Sequence, residues 1–306
     1  KILKLLDKWH CLFILSLVLL ISVEIIGVLG KGATRWIKIF GFSIQPSELV
    51  KVTIILALAK FYHDLKFENI KKISFLFFPF LILTIPFIFV VIQPDLGTSL
   101  SILILGVFIL FLAGIRLWKF LLGFTVIIIS IPLFLRFIKP YQRDRVISFL
   151  DPESDPLGQG YQLIQSKIAL GSGGGTGKGF LQGTQSYLEY LPEKQTDFIF
   201  TLIGEEFGFL GTIFIIFLFI LLIGVCYFIS IKCFHVFGRI ITLGVASNIF
   251  IYVFMNIAMV SGLMPVVGIP LPLISYGGSV MLSIMISIGL VLNVELNYNL
   301  KKFNNA

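Results

Sequence analysis

Eight apolar stretches recur along this chain of 306 residues, at about 11–29, 46–61, 73–92, 97–115, 117–137, 198–231, 240–260 and 271–294. A run of about 20 apolar residues crosses a hydrocarbon core of about 30 Å, and a chain that repeats such runs belongs in a bilayer. The expected fold is all-α: a polytopic transmembrane helical bundle, one domain over residues 1–306, with one long loop at about 138–196. Composition agrees, because 57% of the residues are hydrophobic and 13% charged, whereas a soluble domain averages about 45–50% and about 25%. The second stretch is too short to cross unaided and is interrupted by Glu48 and Lys51. It needs shielding by neighbouring helices, or it is re-entrant.

The charges that remain set the orientation. Counting Lys and Arg in alternate connections, one side collects Lys1, Lys4, Lys8, Lys60, Lys66, Lys71, Lys72, Arg116, Lys119, Lys232, Arg239, Lys301 and Lys302, which is 13. The short loops of the other side hold three, Lys31, Arg35 and Lys38. Cytoplasmic loops carry the excess of Lys and Arg, so both ends are expected in the cytoplasm and the long connection on the opposite face. The net charge of +8 comes from short clusters between apolar runs rather than from a basic face, which argues against a nucleic-acid partner. Cys11, Cys226 and Cys233 lie in or beside apolar runs and imply no disulfide framework. His10, His63 and His235 are far apart and show no metal-ligand spacing. Because the chain starts at Lys1 with an apolar run close behind, a preceding N-terminal portion is expected.

The long connection holds the densest set of polar residues, and long ordered loops are usually functional. Within it, YQLIQSKIAL over 161–170 places Ile164 and Ile168 one turn apart, with Gln162, Gln165, Ser166 and Lys167 largely elsewhere on the wheel. That pattern predicts a helix, either lying on the membrane surface or packed on the bundle. The following GSGGGTGKG, residues 171–179, fails the nucleotide P-loop pattern: Ser172 stands where its first Gly belongs, and Gly179 stands where Ser or Thr should follow Lys178. Two readings stay open for it. Its N–H groups and Lys178 approach a diphosphate, or it is a mobile turn.

Ionisable residues near membrane depth are costly and therefore candidates for function. Here they are Glu24, Glu48, Lys51, Asp95, Asp197, Glu205 and Glu206. Glu48 and Lys51 lie three apart in a helix that Pro46 can start, so they can meet as an ion pair. Asp95, in Gln93-Pro94-Asp95-Leu96-Gly97-Thr98, is placed to cap the helix that follows. Asp197 stands where the long connection enters an apolar helix. A partly desolvated carboxylate there suits a general base, and N-capping of the same helix is the alternative.

A set of motifs in order along nearly the whole chain resembles the SEDS family, and its elongation branch more than its division branch. They are Gly32-Ala33-Thr34-Arg35-Trp36-Ile37, Gln45-Pro46-Ser47-Glu48 with Lys51, Gln93 to Thr98, Asp151 to Gly158, Gly160-Tyr161-Gln162, Gln165-Ser166, Gly171 to Gly174, Gly183-Thr184-Gln185, Leu191-Pro192-Glu193, Thr196 to Phe200, Glu205-Glu206, Pro270-Leu271-Pro272 and Ser275 to Ser279. The resemblance implies ten helices, so that the eight spans here are the third to the tenth, in the bacterial cytoplasmic membrane with the active face periplasmic. It implies an enzyme that joins undecaprenyl-diphosphate disaccharide peptide (lipid II) into glycan strands during elongation. The implied partners are lipid II, a class B penicillin-binding transpeptidase, proteins of the rod-elongation complex, and membrane lipid. The family's catalytic carboxylate matches Asp197. Two departures stand out: Lys194-Gln195 where relatives often have Arg-His, which removes a titratable group, and Val280 where they often have a second Ser.

On this reading Asp197 takes the proton from an acceptor sugar hydroxyl in inverting glycosyl transfer. Arg35, Lys51, Lys167 and Lys178 are candidate cations for the departing diphosphate, Arg35 favoured for its forked donors. Gln165, Gln185 and Glu193 join them as substrate-binding candidates on the strength of the motifs. Glu48, Asp95, Glu205 and Glu206 are expected to be structural or supporting. No cofactor or metal ligand set is identified, and a divalent cation at the diphosphate stays open. A flippase of the same lipid is the rival, on account of buried charges such as Glu48 and Lys51. A non-catalytic scaffold is a third reading that has no use for Asp197.

Overall fold

The computed structural model describes residues 8–30, 33–39, 42–65, 72, 74–135, 147–152, 158–187, 190–191 and 193–304. In chain order the elements are α1 (Trp9–Ile26), strands β1 (Val28–Gly30), β2 (Ala33–Ile39) and β3 (Phe42–Ile44), α2 (Pro46–Asp64), α3 (Phe77–Ile92), α4 (Leu96–Leu112), α5 (Leu117–Leu135), α6 (Gln159–Ser172), a short α7 (Thr184–Tyr187), α8 (Ile199–Lys232), α9 (Val236–Val260) and α10 (Gly278–Asn304). Each of the eight expected spans overlaps a helix, and the protein is a multi-pass membrane protein. Among the described residues, five helical stretches are long and apolar enough to cross a membrane by themselves: Trp9–Ile26, Ser74–Ile92, Ile199–Lys232, Val236–Val260 and Gly278–Asn297.

Two departures have local causes. The connection after α1 is not a plain loop, because β1, β2 and β3 form an antiparallel sheet in which Gly30 faces Ala33 and Ile37 faces Ile44. Its β-branched and aromatic residues, such as Trp36, Ile37 and Ile44, suit a pleated surface. The last helix begins at Gly278 instead of residue 271. Pro270 and Pro272 lack N–H groups, Leu273 has a φ of 65°, and the Leu271 N–H is taken by Ser275 Oγ at 2.7 Å, so 271–277 form turns.

The chain divides into two compact units, the first made of Lys1–Leu117, Leu222–Ile251 and Gly278–Ala306, the second of Trp118–Leu221 and Tyr252–Gly277. In the first, α1 packs on α2, tied by Ser16 Oγ and Thr53 Oγ1 at 2.8 Å. Gln93 Nε2 donates to the Leu20 carbonyl at 2.8 Å. Ser279, at the start of α10, accepts from the Gln45 N–H at 2.9 Å and donates to the Ser43 carbonyl at 3.0 Å, which joins α10 to the entry of α2. Gly106 on α4 meets Leu83 of α3 where a Cβ would not fit, the close approach that small residues allow between membrane helices.

In the second unit, the helix expected at 161–170 exists as α6, but its buried face is Leu163, Ser166 and Ala169 rather than Ile164 and Ile168, and Ile168 is exposed. Ser166 decides the register. Its hydroxyl donates to the Val260 carbonyl at 2.8 Å and lies 2.9 Å from Thr201 Oγ1, so α6 is packed on α8 and the end of α9. α8 is two helical pieces, because Gly208 (φ 65°, ψ −160°) interrupts it. A break in an apolar helix leaves backbone groups that lipid cannot satisfy. The glycine-rich segment supplies the partners: the N–H groups of Lys178 and Gly179 donate to the carbonyls of Glu205 and Glu206, each at 3.0 Å, and the N–H groups of Phe209 and Leu210 donate to Gly174 and Gly175 at 2.9 and 3.1 Å. A Cβ at Gly208 would collide with the backbone of Gly177 and Gly175, and one at Gly177 with the Glu206 carbonyl. The segment is therefore stitched into the break rather than hanging as a mobile turn, and the N–H groups of Gly173, Gly174, Gly177, Lys178 and Gly179 are already engaged.

Candidate active site

Asp197 closes a turn over residues 193–198, just ahead of α8. The turn is internally braced, with the Phe198 N–H donating to the Glu193 carbonyl at 3.2 Å and Thr196 Oγ1 donating to Glu193 Oε2 at 2.7 Å. Three consecutive carbonyls of the turn are held from the 256–276 segment. Tyr276 N–H donates to Gln195 at 2.9 Å, Ser275 Oγ to Thr196 at 2.5 Å, and Asn256 Nδ2 to Asp197 at 2.8 Å. Gly268, with φ +70°, lies so close that a Cβ added there would stand 3.3 Å from Asp197 Oδ2. The half-buried carboxylate thus sits on a fixed backbone beside the main chain of Gly268.

The cation candidates separate by what they already hold. Lys178 Nζ donates to Glu205 Oε1 and to Thr184 Oγ1, both at 2.8 Å, and the Glu205 side chain is 1% exposed. Gln185 adds its N–H to the same Oε1 at 3.0 Å, and its own buried Oε1 has no partner among the described residues. Glu206 is buried, its carbonyl occupied by Gly179. Lys167 differs. It is exposed on α6, has no hydrogen-bond or ion-pair partner among the described residues, and runs across Gly262, where a Cβ would overlap its Cε. Gly262 has φ +78°, a conformation that also favours glycine. Gln165, also on α6, is half-buried.

In the first unit, Glu48 and Lys51 meet at 2.9 Å, at 3% and 1% exposure. Asp95 accepts from Thr98 N at 3.2 Å, Thr98 Oγ1 at 2.8 Å and Gln45 Nε2 at 3.1 Å, and so caps α4. Arg35 lies on β2 with Nη1 3.7 Å from Asp95 Oδ1 and Nη2 donating to the Pro94 carbonyl. Its fork is thereby directed at the turn that starts α4. No group of three or more His, Cys, Asp or Glu that could hold a metal ion occurs among the described residues.

Sequence reading passed over Asn256, Gly262, Gly268 and Ser275 as site residues. One signal was available for Asn256, a polar residue inside an otherwise apolar span. For the glycines there was none beyond their presence, because the need for them arises from what packs against them.

Fold and site together define a multi-pass membrane protein that presents a carboxylate on a clamped turn where a polar connection enters a membrane helix. The family model for FtsW, RodA and SpoVE, described as "Cell cycle protein", matches residues 2–300. The chain is 44% identical over 288 residues to peptidoglycan glycosyltransferase MrdB of Escherichia coli K12, covering 93% of this chain and 76% of that protein. It is 40% identical over 293 residues to stage V sporulation protein E of Bacillus subtilis strain 168, covering 93% and 76%. Among solved structures, one described as structural coordination of polymerization and crosslinking by a peptidoglycan synthase complex is similar with a TM-score of 0.82 at 32% identity, covering 96% of this chain and 82% of that one. Rod shape determining protein RodA of Thermus thermophilus is similar with a TM-score of 0.71 at 25% identity, covering 97% and 81%. The chain belongs to the FtsW/RodA/SpoVE family.

Proposed function

We propose that Asp197 is the general base with which this chain, a membrane peptidoglycan glycosyltransferase, polymerises lipid II during cell elongation. The acceptor sugar's 4-hydroxyl attacks the anomeric carbon of the lipid-linked donor while its proton passes to Asp197. A glycosidic C–O bond forms, the bond from the anomeric carbon to the diphosphate oxygen breaks, and undecaprenyl diphosphate leaves with the electron pair. Negative charge grows on that diphosphate, and Lys167 is the cation assigned to it. Of the four candidates it alone has no charged partner among the described residues, and it shares a unit with Asp197. Gln165, on the same helix, Gln185 and Glu193 are assigned to the sugar-peptide part. Arg35, Lys51 and Lys178 are assigned to support, each directed at a carboxylate.

The single observation that carries this reading is the triple hold on the carbonyls of Gln195, Thr196 and Asp197. A simple cap needs no such hold, whereas a base must sit within hydrogen-bond reach of one proton. The site is assigned to the periplasmic face of the cytoplasmic membrane, as the distribution of Lys and Arg supports. The partner is assigned as a class B penicillin-binding transpeptidase within the rod-elongation complex, supported by the solved relative that couples polymerization to crosslinking. The test is glycan synthesis from lipid II by purified protein in detergent, where nothing can be flipped. Asp197→Asn keeps size and capping ability, so a loss of about 10²-fold or more with unchanged thermal stability is expected. Near-normal polymer from Asp197→Asn removes the assignment. Absence of polymer from folded native protein with its partner favours the flippase or the non-catalytic scaffold.

A further inference from the structure

We infer that Asn256, assisted by Ser275, is a positioning residue that aims the Asp197 carboxylate, an inference that rests on Asp197 being the base. Asn256 is fully buried in α9, and its one amide nitrogen donates to two carbonyls, Asp197 at 2.8 Å and Ile269 at 2.7 Å. Those carbonyls belong to two segments. One is the turn that carries the carboxylate, and the other is the 261–277 loop, whose Gly268, next to Ile269, faces Asp197 Oδ2. A single amide therefore sets both where the Asp197 main chain lies and where the Gly268 main chain beside its carboxylate lies.

The amide is oriented by these acceptors, because exchanging its O and N would set oxygen against two carbonyl oxygens. Its own Oδ1 is buried without a partner among the described residues. A buried acceptor left unsatisfied is unfavourable, and an apolar side chain at 256 would avoid it. What the amide supplies in return is its pair of hydrogen bonds to the Asp197 and Ile269 carbonyls. Ser275 repeats the logic one residue back. Its hydroxyl accepts from Leu271 N at 2.7 Å and donates to the Thr196 carbonyl at 2.5 Å, so it ties the same loop to the same turn. Neither side chain is assigned to substrate, and both act only through Asp197.

A base displaced by about 1 Å loses about 10²-fold in rate. Asn256→Ala should therefore lower kcat for lipid II polymerisation by about 10–100-fold, with KM within about twofold of the native value. Ser275→Ala, which removes one tie, should lower kcat by about 3–10-fold. Rates are taken per folded molecule, from the monodisperse fraction in detergent, alongside the thermal midpoint. A role in folding alone would lower the midpoint and the folded yield but leave kcat per folded molecule unchanged. Folded Asn256→Ala with kcat within twofold of native overturns the inference. Should Asn256→Ala fail to fold, Ser275→Ala decides it: a reduced kcat with native KM supports the clamp, and an unchanged kcat overturns it. Failure of the underlying assignment reads differently, as near-native polymerisation by Asp197→Asn.

Discussion

Removing Lys51 should destabilise this protein without touching its chemistry, and the structure allows the size of the effect to be worked out. Lys51 Nζ lies 2.9 Å from Glu48 Oε1, with the residues 1% and 3% exposed, so the pair is dry. Lys51→Ala leaves a carboxylate in a place that water does not reach and removes the packed aliphatic stem. Breaking a buried pair from one side costs about 3–5 kcal/mol. For a chain of this size 1 kcal/mol moves a thermal midpoint by about 2 °C, so a fall of about 6–10 °C is expected. Taking both charges away, with Glu48→Gln and Lys51→Met together, leaves no uncompensated ion and should restore most of the loss. Exchanging the two residues, Glu48→Lys with Lys51→Glu, should restore part of it. The assay is intrinsic-fluorescence unfolding in one detergent at one scan rate, with polymerisation measured well below the midpoint. An unchanged midpoint in Lys51→Ala together with abolished polymerisation would refute the reasoning and put Lys51 among the substrate contacts.

Lys178→Met should behave in the same way, lowering the midpoint by several degrees because Glu205 at 1% side-chain exposure loses its cation, and Glu205→Gln added to it should recover the loss. A raised KM at native stability would instead return Lys178 to the diphosphate. For the orientation, Gln182→Cys in the exposed tip after the glycine segment should react with an impermeant maleimide on intact spheroplasts. Labelling only after lysis would reverse the faces and the site with them.

Much of this protein is legible in the linear sequence because membrane insertion is a local property of the chain. Apolar runs of sufficient length must become helices wherever they fall, and positive loops choose their side. The spans, the helix at 159–172, the Glu48 and Lys51 pair and the Asp95 cap all depend on neighbours within a turn or two, so spacing alone anticipates them. Asp197 was legible by type and place, as a carboxylate at the boundary of a helix. Its clamp was not. Asn256 and Ser275 lie 59 and 79 residues away from the carbonyls they hold, and no local period links them. The cation assignments needed the fold for the same reason: Arg35 and Asp95 are 60 positions apart in sequence, and Lys178 and Glu205 are 27. Whether a cation faces a ligand or a buried carboxylate depends on which segments are brought side by side. The glycine segment shows the difference most plainly. Its composition announced backbone freedom, but only the break at Gly208 defined what that freedom serves: carbonyls and N–H groups that lipid would leave unsatisfied, reached by a backbone with no side chains in the way.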